Sequence, residues 1–281
     1  MSNSSGLLES RPSPIWVLAL ACALAVPTGA GDRSGRVRLE DDRDCYDEGG
    51  DDRYERLCEV RELTLPAGRL EIDAAPNGGI EVHGEKRSDI RIRAKVVAQA
   101  RTEEEARELL GQIRIETEHG TVRAVGPQSK GRRDHGYWVS YKVVVPEDND
   151  LRLETMNGGI SLYDVKGSVD FKTVNGGVTV DSAAGSVQGR TTNGGLDISL
   201  RGTAWEGNGL DVETTNGGVK VTIPSDYNAR LVTGTVNGGM RVDFPVTVQG
   251  RIDRRLDVEI GRGGPTVRAV TTNGGVVIRK R

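Results

Sequence analysis

From Leu151 to Ile278 aliphatic and polar residues alternate in short runs, and the runs come in pairs that meet at the tripeptide Asn-Gly-Gly. Alternation with period two is the mark of a strand with one face buried. The tripeptide occurs seven times, at Asn77, Asn157, Asn175, Asn193, Asn216, Asn237 and Asn273. The second to fifth copies follow one another at 18, 18 and 23 residues, a near-periodic array broken by short insertions. One insertion is Arg201 to Gly209, around Trp205; another separates Asn237 from Asn273, where Gly261-Arg262-Gly263-Gly264 reads as a decayed copy.

Aligned on Asn, the last six copies assign a role to each position. Two residues before Asn stands Thr (Thr155, Thr173, Thr191, Thr214, Thr235, Thr271), and six before it an aliphatic (Leu151, Val169, Val187, Leu210, Leu231, Val267). Three after it come Ile160, Val178, Leu196, Val219, Met240 and Val276, and five after it Leu162, Val180, Ile198, Val221, Val242 and Ile278. Each copy is therefore a strand, a corner and a second strand. Gly and Asn suit a corner because both tolerate positive φ. Two geometries satisfy the pattern. In an antiparallel meander Asn-Gly is a two-residue hairpin turn and Thr155 faces Ile160. In a β-solenoid, resembling a parallel β-helix, each unit is one coil, and like positions stack about 4.8 Å apart, Thr over Thr and Asn over Asn. The strict repeat favours the solenoid, which alone gains from placing like on like.

The first half is less regular. Ile72 and Ile80 to Val82 flank the first Asn-Gly-Gly, and Ile90 to Val97 and Tyr137 to Pro146 read as further strands. Between them Thr102-Glu103-Glu104-Glu105 forms a capping box before Ala106, Leu109, Leu110 and Ile113, predicting one helix over 102–113 that flanks the solenoid. The N-terminus carries Arg11, an apolar run from Ile15 to Val26, then Pro27-Thr28-Gly29-Ala30, the order of a signal peptide cleaved after Ala30. Left uncleaved, the run would be a membrane anchor, but it is shorter than the roughly 20 residues a span needs. Ala19-Leu20-Ala21-Cys22 fits a lipobox poorly, since its Leu stands two rather than three before Cys. Residues 31–62 are charged and largely acidic, a composition too poor in apolar surface to order itself, so this stretch reads as a flexible arm before a domain over 63–281. Export leaves Cys45 and Cys58 as a pair in an oxidising compartment, which predicts one disulfide.

A strand pair around Asn-Gly-Gly, a Glu-rich helix, a strand ending Val143 to Pro146 and a run of Thr-x-Asn-Gly-Gly units resemble the bacterial adhesin-named family of domain-of-unknown-function 4097 β-strand repeat proteins. The resemblance covers about Leu63 to Lys280. It implies a β-solenoid outside the cytoplasm and brings no catalytic residues with it.

Composition narrows the function classes. Aromatics are 4% of residues and Gly numbers 38, so the core must be built from small aliphatics. With 38 basic against 41 acidic groups there is no long-range field to gather nucleic acid or an anionic membrane, and no nucleic-acid partner is expected. The rival to a binding module is a carbohydrate-active enzyme on a β-helix, which needs stacked carboxylates. Asp164, Asp170, Asp181, Asp197 and Asp211 fall at unequal offsets from the preceding Asn and are read as scattered. His83, His119 and His135 share no metal-ligand spacing, and neither a catalytic triad nor a phosphate loop is present, so no catalytic, cofactor or metal site is assigned. What remains is contact surface. Arg132, Arg133 and Trp138, with Trp205 in its insertion, are candidate ligand contacts, because Arg beside aromatic rings suits carbohydrate or acidic polymers. The reading is a non-enzymatic extracytoplasmic scaffold or adhesin-like module, its partner a cell-surface polysaccharide or envelope protein; an inert spacer holding the N-terminal arm away from the cell is the remaining alternative.

Overall fold

The computed structural model describes residues 37–38, 45, 53–127, 135–243 and 254–281. Two long sheets face each other across one aliphatic core. Along the chain the strands are β1 (Val37–Arg38), β2 (Glu55–Pro66), β3 (Leu70–Asp73), β4 (Ile80–Glu85) and β5 (Asp89–Ala100). The helix α1 (Glu103–Gln112) follows, then β6 (Arg114–Glu118), β7 (Thr121–Val125) and β8 (Gly136–Pro146). The repeats supply β9 (Leu151–Asn157), β10 (Ile160–Tyr163), β11 (Ser168–Asn175), β12 (Val178–Asp181), β13 (Ser186–Asn193) and β14 (Leu196–Ser199). They continue with β15 (Gly209–Asn216), β16 (Val219–Ile223), β17 (Ala229–Asn237) and β18 (Met240–Val242); β19 (Arg255–Ile260), β20 (Thr266–Asn273) and β21 (Val276–Lys280) close the chain.

Each repeat is one coil of a solenoid, and the hairpin alternative is excluded. The strand before Asn-Gly-Gly lies in the second sheet and the strand after it in the first; each pairs in parallel with its equivalents in neighbouring coils. Val178 stands between Ile160 and Leu196, and Thr173 between Thr155 and Thr191. Val169, Phe171, Val178 and Val180 are all buried. Side chains six before and three and five after Asn thus form the core, except that Met240 and Val242 in the end strand β18 are only half-buried.

The coils do not follow chain order. In the first sheet β21 lies between β16 and β18, and in the second β20 lies between β15 and β17. The last Asn-Gly-Gly copy is therefore inserted between the fifth and sixth. Gly261-Arg262-Gly263-Gly264 is no coil corner but the turn between β19 and β20; β19 runs antiparallel to β17 and ends the second sheet.

The corner works differently from a positive-φ turn. Apart from Gly78, the glycines of Asn-Gly-Gly lie outside the left-handed region. Their requirement is close approach: a Cβ on Gly176 would overlap the carbonyl oxygen of Gly158 one coil away. Positive φ occurs instead at the opposite turns, as at Gly185. The asparagines form a continuous side-chain ladder through all seven copies, each amide donating to the next at 2.7–2.9 Å. The threonines do not bond one another. Thr155, Thr173, Thr191, Thr214 and Thr271 donate through Oγ1 to a glycine carbonyl in the adjacent coil, at 2.7–2.9 Å. These hydroxyls are buried, so each bond is worth about 1 kcal/mol net.

The helix α1 begins at Thr102, whose Oγ1 accepts from Glu105 N at 3.2 Å, while the Glu105 carboxylate accepts from the N–H of Arg101 rather than that of the cap residue. Its last turn carries no basic residue. Arg61 on β2 supplies that charge, donating to the carbonyls of Leu110 and Ile113, and is held by Glu59 at 3.0 Å. The ordered sheet reaches further toward the N-terminus than the composition predicted: residues 55–62 belong to β2, which pairs along its whole length with β5. Cys58 lies within β2 and is joined to Cys45 with a Cα–Cα distance of 5.8 Å. The signal segment 1–30 lies outside the described residues, as do Arg132 and Arg133. Among the described residues no helix is long and apolar enough to cross a membrane.

Candidate binding face

Because the coils keep one register, the residues between the buried positions of the second sheet form straight rows on its outer face. Counted back from the Asn that follows, the fifth position holds Arg152, Asp170, Gln188 and Asp211 on successive strands, and then Arg268 on the inserted strand β20. The third position holds Glu154, Lys172, Arg190, Glu213 and Val270 in the same order. Asp170 and Asp211 are therefore equivalent, two strands apart with Gln188 between them. Counting from the preceding Asn hid this, since the Trp205 insertion lies inside that interval.

Most of these charges are tied to one another. Arg152 meets Glu154 at 2.8 Å, Arg268 bonds Asp211 and lies 3.8 Å from Glu213, and Arg230 grips Asp257 on β19 through two contacts of 2.9 Å. The Arg230 guanidinium holds the Asp257 carboxyl below its usual range. Arg190 is exposed and makes no hydrogen bond or ion pair among the described residues.

A second surface lies on the outer face of the first sheet. There a cleft of about 400 Å³ opens over Gly79 and Gly159, lined by Arg93, Lys95, Ser140, Lys142 and Ser161 with Glu81 as its acid. Burial pushes the Glu81 carboxyl up, but bonding to His83 and the charge of Lys142 outweigh it and hold the group below its usual range. Trp138 is half-buried close by, with the Arg56 guanidinium 5.4 Å from its ring centroid. Cys58 and Trp138 are both paired across Val97, which places the disulfide on the same part of the sheet.

Trp205 is not a ligand contact. It is 4% exposed, its ring belongs to the core and its Nε1 donates to the Gly185 carbonyl at 3.0 Å. The lone large aromatic in an otherwise polar insertion was the signal for such packing, because an indole here fills a turn that aliphatics fill elsewhere. No group of three His, Cys, Asp or Glu residues able to hold a metal converges among the described residues. Asp164 and Asp181, from successive coils, lie 3.4 and 3.5 Å from the one guanidinium of Arg201, which makes them ion-pair partners.

Several solved structures are similar to this chain. A "putative cell adhesion protein" from Clostridium sporogenes ATCC 15579 is 12% identical with a TM-score of 0.44, covering 81% of this chain and 100% of its own. A "putative lipid binding protein" from Parabacteroides distasonis ATCC 8503 is 11% identical with a TM-score of 0.36, covering 79% and 96%. A "putative adhesin" from Bacteroides fragilis NCTC 9343 is 12% identical with a TM-score of 0.28, covering 79% and 97%. No curated protein matches the chain. The model of the Toastrack DUF4097 family matches residues 147–279, the stretch that holds the last six Asn-Gly-Gly coils.

Proposed function

We propose that the protein is an extracytoplasmic, non-enzymatic binding module of adhesin type, and that the outer face of the second sheet is its contact surface. The observation that carries this is the set of charged rows on that face, fixed in register by the Asn and Thr ladders. A rigid array of side chains at strand spacing presents many weak contacts without an ordering cost on binding, which suits an extended surface polysaccharide or envelope protein. Trp138 with Arg56, and Arg132 and Arg133 before it in the chain, are proposed as a second set of contacts.

Purified protein should be retained on a panel of cell-wall and acidic polysaccharides without releasing reducing ends. Reducing-end release would reassign it as a glycan-processing enzyme, and inertness in both assays would leave it a spacer. The extracytoplasmic reading makes a separate prediction. Protein recovered from the producing cell should begin after Ala30 and show alkylation of Cys45 and Cys58 only after reduction, because a reducing cytosol keeps such pairs as thiols. An intact Met1 or two freely alkylated cysteines overturns export.

A further inference from the structure

We infer that a groove near the end of the second sheet, where the last coil is inserted, binds a carboxylated glycan of the uronic-acid type. The inference rests on the binding-module reading and names its ligand and site. The groove encloses about 590 Å³. Its floor is apolar and low: Val232 and Gly234 on β17 lie beside Arg268 and Val270 on β20. Gly234 has no room for a side chain, since a Cβ there would press on the Arg254 carbonyl at 2.8 Å, so β17 and the start of β19 approach closely at this end of the groove.

Four arginines line this hollow, Arg190 on one side, Arg254 and Arg255 on the other and Arg268 between them, against Glu213 as the one acidic lining residue. That is a local excess of positive charge on a chain whose formal net charge is −3. Arg254 is held in place by donating to the Val236 carbonyl at 2.9 Å, and Arg268 is engaged by Asp211, whereas Arg190 stands exposed and unpaired among the described residues. At one end the exposed hydroxyl residues Thr192, Thr215 and Thr272 stand on three successive strands, β13, β15 and β20.

Guanidinium groups recognise carboxylates through paired donors in one plane. Threonine hydroxyls match sugar hydroxyls, and valines match the C–H face of a pyranose ring. The three features together describe a polyhydroxylated chain carrying spaced carboxylates. A continuous anionic bilayer fits worse, because Asp211, Glu213, Asp257 and Glu259 on the same face would oppose a broad negative surface.

The test is binding of the full chain to polygalacturonate, with its methyl-esterified form and anionic phospholipid vesicles as comparisons. Polygalacturonate should bind, salt should weaken the binding, and esterification should abolish it. Arg190→Glu should lower affinity by about tenfold or more, the equivalent of losing one charge-assisted contact. Arg190 is exposed, so an unchanged melting curve will show that this variant is folded. Undiminished binding by both Arg190→Glu and Arg255→Glu, equal binding of the esterified polymer, or binding to vesicles alone overturns the inference. Retention on some other glycan with none on polygalacturonate overturns it too, while leaving the binding-module reading standing; failure on every polymer sinks both.

Discussion

Gly176→Ala should destabilise the protein by about 3 kcal/mol or more, whereas Gly177→Ala should shift stability by less than about 1 kcal/mol in either direction. The two glycines are adjacent in sequence and belong to the same corner, yet they meet different surroundings. A Cβ on Gly176 would occupy the space of the Gly158 carbonyl, which cannot rotate away because the N–H of Gly158 is itself bonded to the Asn175 carbonyl. The Gly158 oxygen also accepts from Thr173 Oγ1 at 2.9 Å, so displacing it breaks a buried bond as well. On Gly177 the same atom would sit 3.6 Å from the Gly195 carbonyl, an ordinary contact, and φ there is outside the left-handed region. Replacing that glycine also removes freedom from the unfolded chain, which acts in favour of the variant. Urea melts of the two single variants decide the matter, and equal midpoints would show that coil-to-coil approach is not what the first glycine serves.

This distinction could not be read from the sequence, which repeats both glycines seven times without separating their reasons. What was legible follows from period-two alternation: the aliphatic residues six before and three and five after Asn, and the threonines two before it, are the ones that face inward, because burial is a local property of each strand. Which coil touches which is not local. Each of the last six copies offers the same Thr-x-Asn-Gly-Gly edge, so any of them can stack on any other, and the insertion of β20 and β21 between earlier coils leaves no trace in the repeat itself. Compensation between coils was hidden in the same way. Gly189 stands where other coils place Leu153 or Val212, and the structure shows why: the Phe171 ring of the preceding coil fills its space. The arginine groove was equally out of reach, since Arg190, Arg255 and Arg268 come together only through the inserted strand and the antiparallel return of β19.

The inserted order predicts an outsized effect of removing the last sixteen residues, 266–281. In a solenoid wound in chain order, deleting the final coil uncovers one new end and leaves the remaining contacts intact. Here the final coil is interior. β20 pairs on both sides, with β15 and β17, and β21 likewise with β16 and β18. Its loss removes buried Val267, Val276 and Ile278, each worth about 1.5–3 kcal/mol, together with Thr271 and its bond to the Gly217 carbonyl. It also interrupts the asparagine ladder at Asn273 and strands the edges of β15 and β17 without a partner. A loss of this size is comparable with the whole stability of an ordinary domain. Protein ending at Pro265 should therefore lose its cooperative melting transition, or retain it only for the coils before Asn216, with amide protection gone from β17. Adding the peptide 266–281 in trans should restore protection to β17, because the gap it leaves is bounded on both sides by strands that still match it. Protection of β17 retained in the truncated chain without the peptide, beyond what its antiparallel pairing with β19 supplies, would mean that the sixth coil packs directly on the fifth, and the inserted order would be wrong.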